Sequence, residues 1–242
     1  MKRILRHPWR LSIPEAICLQ RRLAGLVRAG DSGKCPLKIE AIRLIAGADV
    51  SYSKTTDTCY AAVVLLRFPD MTVVEERTAV LKSAFPYVPG LLSFREGEPL
   101  TRAFGKLRGR PDVLVFDAQG IAHPRRVGLA SHMGLIYGIP SIGCAKTILC
   151  GTFEEPGEAA GDVSPLLYKG EQVGAVLRTK SGCRPMFISP GHLMDVEWAV
   201  SFMRQCLGPY RQPEVTRRAH LLSNRIRLDH ETGSNLISPW PL

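Results

Sequence analysis

Two strongly apolar runs each end in an aspartate: Leu44-Ile45-Ala46-Gly47-Ala48-Asp49 and Val113-Leu114-Val115-Phe116-Asp117. A carboxylate at the end of a buried strand loses its hydration and is costly unless a positive charge sits beside it. Two such positions in a chain of formal net charge +10 point to a divalent metal held between strand ends. Hard oxygen ligands suit Mg²⁺, with Mn²⁺ able to substitute. Metal held this way activates water and neutralises the leaving oxygen in phosphodiester hydrolysis. Asp49 carries the greater weight, because Val50-Ser51-Tyr52 continues the extended pattern beyond it. After Asp117 comes Ala118-Gln119-Gly120, which suits an ordinary turn as well.

Other residues fall into the same frame. In Pro86-Tyr87-Val88-Pro89-Gly90-Leu91-Leu92-Ser93-Phe94-Arg95-Glu96, two prolines stiffen the loop around Tyr87. A rigidly presented aromatic can wedge into a base step, although a tyrosine packed in the core fits the local pattern too. Glu96 beside Arg95 also suits an acid near a helix N-terminus. In Gly120-Ile121-Ala122-His123-Pro124-Arg125-Arg126, small residues allow close approach of a substrate to the backbone. His123 there offers a phosphate contact or a proton relay. Lys146 follows the apolar run Ile142-Gly143-Cys144-Ala145, a third polar residue at a strand end, placed to steady a phosphate. His220 lies on a basic helix. Arg204, Arg211, Arg217, Arg218, Arg225 and Arg227 make that region a candidate phosphate-tracking face, or simply a solvated one.

The elements that must position these groups can be read from periodicity. A capping box at Ser12-Ile13-Pro14-Glu15 opens a helix to about residue 27. Strands follow at about 41–52, 59–68 and 72–82, with links short enough for an antiparallel meander. Then come a helix over 95–108, a buried strand at 113–117, a helix over 126–137 and a second buried strand at 140–145. Residues 151–163 read as a polar excursion. Strands at 171–178 and 185–189 and helices at 192–206 and 214–226 close the chain. The expected fold is α/β: a central five-stranded mixed sheet, antiparallel meander plus parallel strands, flanked by helices. If the first and fourth strands are neighbours, Asp49 and Asp117 come within reach of one metal.

The 242 residues suit one domain, with 1–8 and 229–242 as flexible tails. An excess of 32 Lys+Arg over 22 Asp+Glu favours a polyanionic partner. Seven scattered cysteines, with no C-x-x-C, argue against a disulfide framework or structural zinc and suit a reduced, cytoplasmic protein. The basic N-terminus lacks the apolar core of a signal peptide, and no run has the length of a membrane span. No membrane partner is expected, and the expected state is a monomer.

Taken together and in this order, the motifs resemble endonuclease V, the deaminated-base repair nuclease of the ribonuclease H-like superfamily. The matching stretches are 45–52, 86–96, 117–125, 141–146, Ser189-Pro190-Gly191-His192 and Thr216-Arg217-Arg218-Ala219-His220. The resemblance implies that Asp49 and Asp117 bind metal and that Glu96 and His220 line the metal site. It implies that Tyr87 is the wedge and that Gly90, Leu92, Gly120, Gly128 and Leu129 lie near a hypoxanthine pocket. Lys146 and His123 would lie near the cleaved phosphate. The implied activity is a nick at the second phosphodiester bond 3′ to deoxyinosine, leaving 3′-hydroxyl and 5′-phosphate. Inosine-containing RNA on the same fold, or a non-catalytic nucleic-acid-binding module, are the alternatives. Ala118 stands where many members carry glycine.

Overall fold

The computed structural model describes residues 1–30, 34–53 and 55–233. Its elements run α1 (Ile13–Ala24), β1 (Leu44–Tyr52), β2 (Thr58–Arg67), β3 (Val73–Lys82), α2 (Leu92–Gly105), β4 (Val113–Phe116), α3 (Leu129–Tyr137) and β5 (Ser141–Ala145). They continue with β6 (Val163–Tyr168), β7 (Glu171–Leu177), β8 (Met186–His192), α4 (Val196–Gln205) and α5 (Glu214–Thr232).

The expected meander is present. β1 pairs antiparallel with β2, and β2 with β3. β4 then pairs parallel with β1 on its other side, and β5 parallel with β4. The fold class is as expected, but the sheet has eight strands, not five, in the order β3-β2-β1-β4-β5-β8-β7-β6. The reason lies in β5, all five residues of which are buried. A strand this apolar cannot form a sheet edge, and β8, itself buried throughout, pairs antiparallel against it. The sheet then tapers to β6, which exposes half of its residues and carries Pro165, as an edge strand can. That mixed exposure left β6 without a strand pattern in the sequence, between the polar excursion that ends at residue 163 and the strand expected at 171–178.

Two layers of helix cover the sheet. On one face α2 and α3 bury Phe104 and Met133 against Ala46, Ala48, Leu114 and Phe116. On the other, α4 and α5 bury Phe202, Val215 and Leu222 against Ile45, Val113 and Val115. The alternation of β1 therefore turns Ile45, Gly47 and Asp49 toward α5. Gly47 is what lets α5 sit so low: a Cβ there would run into the backbone carbonyl of Val215. α1 opens with the expected capping box, Ser12 with Glu15. It packs Ala16 against Phe85, Leu91 and Phe94, and Leu23 against Val127 and Leu135.

Helix boundaries differ from the sequence reading where local geometry intervenes. α2 begins at Leu92, so Glu96 sits inside the helix and not at its rim. α3 begins only at Leu129, because Arg126 holds a left-handed φ of 60°. Residues 1–8, read as a tail, lie along the helices: the Met1 ammonium donates to Phe104 O at 3.2 Å and the Ile4 amide to Ile136 O at 2.8 Å. Of the expected C-terminal tail, residues 229–232 are the last turn of α5, and 234–242 lie outside the described residues. Among the described residues, no helix is long and apolar enough to cross a membrane.

Candidate active site

The parallel register Ala48↔Phe116 places Asp49 and Asp117 next to each other at adjacent strand ends. The Asp117 amide continues the ladder by donating to Ala48 O at 3.2 Å. α5, lying over Gly47, brings two further groups down onto Asp49. His220 Nδ1 donates to Asp49 Oδ2 at 3.0 Å, and Ser223 Oγ donates to the same oxygen at 2.7 Å. Asn224 Nδ2 donates to His220 Nε2 at 3.2 Å, which fits an imidazole carrying its proton on Nδ1. From β5 comes Lys146, whose Nζ is 2.5 Å from Asp117 Oδ2. Gln212 Nε2 donates to that oxygen as well, at 3.1 Å. Glu96 enters from the α2 side and accepts a hydrogen bond from Tyr52 of β1.

The electrostatics describe a site short of positive charge. Burial opposes ionisation of Asp49, but the hydrogen bonds from His220 and Ser223 outweigh it and hold the carboxyl below its ordinary value. For Asp117, burial and the neighbouring Asp49 charge win over Lys146, and its carboxyl is pushed up. Glu96 is pushed furthest, to about 8, by burial and by the charges of Asp49 and Asp117, against the hydrogen bond from Tyr52. One ligand atom from each of Asp49, Asp117 and His220 lies within 4.8 Å of the other two. Two neighbouring carboxylates, one of which raises the other's proton affinity, fit a divalent cation with an imidazole alongside. The oxygens suit Mg²⁺ and the nitrogen donor widens the choice toward Mn²⁺.

A cavity of about 320 Å³ opens beside this cleft. Gly90, Leu92, Gly128 and Leu129 line it, as do Ala118 and Ser93, and Tyr87 stands at its rim. Tyr87 is 69% exposed, so the core-packed alternative does not hold. Asp117 and Lys146 line both the cavity and the acidic cleft, so the two spaces share a wall. Gly120 is the exception among the expected pocket residues. Its amide donates to Ser189 Oγ at 2.7 Å and its Cα faces the Pro190 carbonyl, so it supports the wall from behind without lining it. The turn after Asp117 is braced on β8, which the sequence reading did not pair with β5.

His123 lines the cavity but is not placed for phosphate or proton relay. Its Nδ1 accepts from the Arg125 amide at 3.0 Å and its Nε2 donates to Gly90 O at 2.9 Å. Burial of the ring, with the Arg125 charge nearby, outweighs the hydrogen bond to Gly90 O and lowers its pKa to about 4. The basic region also differs from expectation. Arg204 donates to Gly161 O, and Arg211 to the carbonyls of Arg184, Pro185 and Lys146. Arg217 and Arg218 both pair with Glu214, Arg225 with Glu76, and Arg227 with Glu231. These six guanidinium groups brace the protein's own loops and helices. Ser223, Gln212 and Gln20 were missed in the sequence, because a lone polar residue on a helix carries no periodic signature.

Carboxylates at adjacent strand ends of a mixed α/β sheet, with a lysine and a base-sized cavity against them, define a metal-dependent nuclease. The family model for endonuclease V matches residues 27–221. An endonuclease V from Myxococcus xanthus is 48% identical over 220 residues, 90% of this chain and 91% of that protein. The crystal structure of endonuclease V from Streptomyces avermitilis superposes with a TM-score of 0.84 at 40% identity, covering 92% of this chain and 96% of that one. Ciona intestinalis endonuclease V, solved with a 24mer DNA containing an inosine followed by a ribo-adenosine, gives 0.78 at 26% identity, covering 90% and 98%. The chain belongs to the endonuclease V family.

Proposed function

We propose that this nuclease recognises deoxyinosine in DNA and nicks the same strand at the second phosphodiester bond 3′ to it, leaving 3′-hydroxyl and 5′-phosphate. The observation that carries this reading is the wall shared by cavity and cleft. Asp117 and Lys146 face both, so a base held in the cavity brings its own backbone to the carboxylates. The inosine-containing DNA in the Ciona relative supports the same substrate.

In this reading Tyr87, presented by its rigid loop, fills the gap left in the stack when the base turns out. Leu92, Gly128 and Leu129 enclose that base and exclude water. Asp49, Asp117 and His220 would hold a divalent cation, Mg²⁺ or Mn²⁺, which when bound supplies charge neutralisation and a more acidic water. Ser223 fixes the Asp49 carboxylate through its hydroxyl. Lys146 leaves part of its charge for the phosphate. Glu96 would take up the proton that the attacking water releases once a bound cation offsets the Asp49 and Asp117 charges that raise its proton affinity.

The deciding experiment maps the cut in a duplex with one inosine, with Mg²⁺ and with EDTA. The expected result is a single metal-dependent nick immediately 3′ of inosine's 3′ neighbour; cutting that persists in EDTA overturns the reading. The ribo-adenosine after inosine in the Ciona complex favours a second reading, inosine-containing RNA as substrate. Matched DNA and RNA oligonucleotides, cut side by side, separate the two.

A further inference from the structure

We propose that Gln20 is a positioning residue that staples the two walls of the base cavity together and so sets the grip on the flipped base. This rests on the reading of the cavity as the base site. Gln20 belongs to α1, outside residues 27–221 that match the family model. It is 1% exposed, an uncommon state for an amide unless every polar atom is satisfied.

All of its capacity is directed at the cavity walls. Its Nε2 donates to Gly90 O at 3.0 Å and to Val127 O at 2.7 Å. Its Oε1 accepts from Arg125 Nε. Gly90 ends the loop that presents Tyr87 and leads into Leu92; Val127 leads into Gly128 and Leu129. One side chain thus bridges the wall bearing the wedge and the wall bearing the start of α3. Arg125, held by Gln20, donates in turn to Gly90 O at 2.8 Å, beside His123 at 2.9 Å. Three side chains therefore converge on one carbonyl. Gly90 itself has φ of +78°, and a Cβ there would meet the Arg125 guanidinium and the His123 ring. The loop has no alternative seat while these donors are in place.

Removing the amide leaves Val127 O without its donor and Arg125 Nε without its acceptor, both in a partly dry site. The walls then lose their fixed spacing, while Asp49, Asp117 and Lys146 are held by sheet register and by hydrogen bonds that do not involve Gln20. A loosened cavity weakens capture of the base more than it slows the chemistry.

The test is steady-state nicking of a duplex with one inosine by wild type, Gln20→Met and Gln20→Glu. Met matches the side chain's length without its hydrogen bonds; Glu keeps the acceptor for Arg125 and loses the two donors. The expected result for Gln20→Met is KM raised about tenfold with kcat within about twofold of wild type. Gln20→Glu raises KM too, and carries the test if the Met variant does not fold. In a cycle with Tyr87→Ala the two losses are less than additive, because both act through one loop. A merely structural role predicts a lower kcat, from fewer folded molecules, at unchanged KM; that result overturns the proposal. If wild type does not nick inosine duplex at all, the substrate reading fails instead.

Discussion

The acidic cleft and the cavity beside it are built by opposite means. The cleft is set by sheet register: Asp49 and Asp117 stand on neighbouring parallel strands, and Lys146 just past the end of the next one. It concentrates charge and leaves it under-compensated, which pushes Asp117 and Glu96 up. The cavity is set by loops and by side chains bonding to backbone carbonyls, with Gly90 O receiving Gln20, His123 and Arg125. It concentrates apolar surface, and its buried polar groups are paired apart from the Ser93 hydroxyl. In the proposed reading, chemistry is thus placed on the sheet, and recognition on loops that admit a base.

The largest way to break this contrast is in the cleft. Asp49→Ala should lower the nicking rate by about 10³-fold or more while leaving inosine-DNA affinity in EDTA close to wild type. Nicking near the wild-type rate would show that this carboxylate is not part of the chemistry. Lys146→Ala should cost about 10²-fold in kcat, the scale of losing one donor to developing charge. Because Lys146 also lines the cavity, a rise in KM larger than the fall in kcat would place its role on the recognition side instead. Tyr87→Ala should act on the cavity side alone. It should lose about tenfold in kcat/KM on an inosine duplex and change little on a single strand, where no stack needs filling. Equal losses on both substrates would remove the wedge.

The smallest effect is on stability, where the two regions respond to pH with opposite sign. Glu96 rises from an ordinary 4.5 to about 8 in the fold, so the unfolded chain releases that proton first. Without divalent cations its contribution therefore makes stability fall as pH rises from about 4.5 toward 8. His123 falls from 6.5 to about 4, so its contribution is present above 6.5 and lost as pH drops toward 4. Urea unfolding in EDTA from pH 4 to 8 should show Glu96→Gln flattening the alkaline decline and His123→Gln the acid one. The reverse assignment would mean that the cleft and not the cavity is the better-compensated site.

The residues of the cleft were legible because they break a pattern. An aspartate that interrupts an apolar run is conspicuous, and Pro86 and Pro89 around Tyr87 advertise a rigid loop. The helix of Ser12-Ile13-Pro14-Glu15 and the β1–β3 meander were legible because caps and short links act over a few residues. Glu96 was legible only as an acid near a helix start; its burial against Tyr52 depends on where α2 docks. The six arginines of the C-terminal region read as either a phosphate face or a solvated one, because charge is visible in sequence and pairing is not.

By itself the sequence determined most of the elements, the meander, and the residue types able to hold a metal, because those follow from local periodicity and side-chain chemistry. Tertiary structure alone decided that β8 closes the edge of β5, that α5 lays His220 and Ser223 on Asp49, and that Gln20 reaches Gly90 and Val127. These contacts join residues from 42 to 174 positions apart. No periodicity spans such separations, so burial of the remaining apolar faces and satisfaction of the remaining polar atoms selected them.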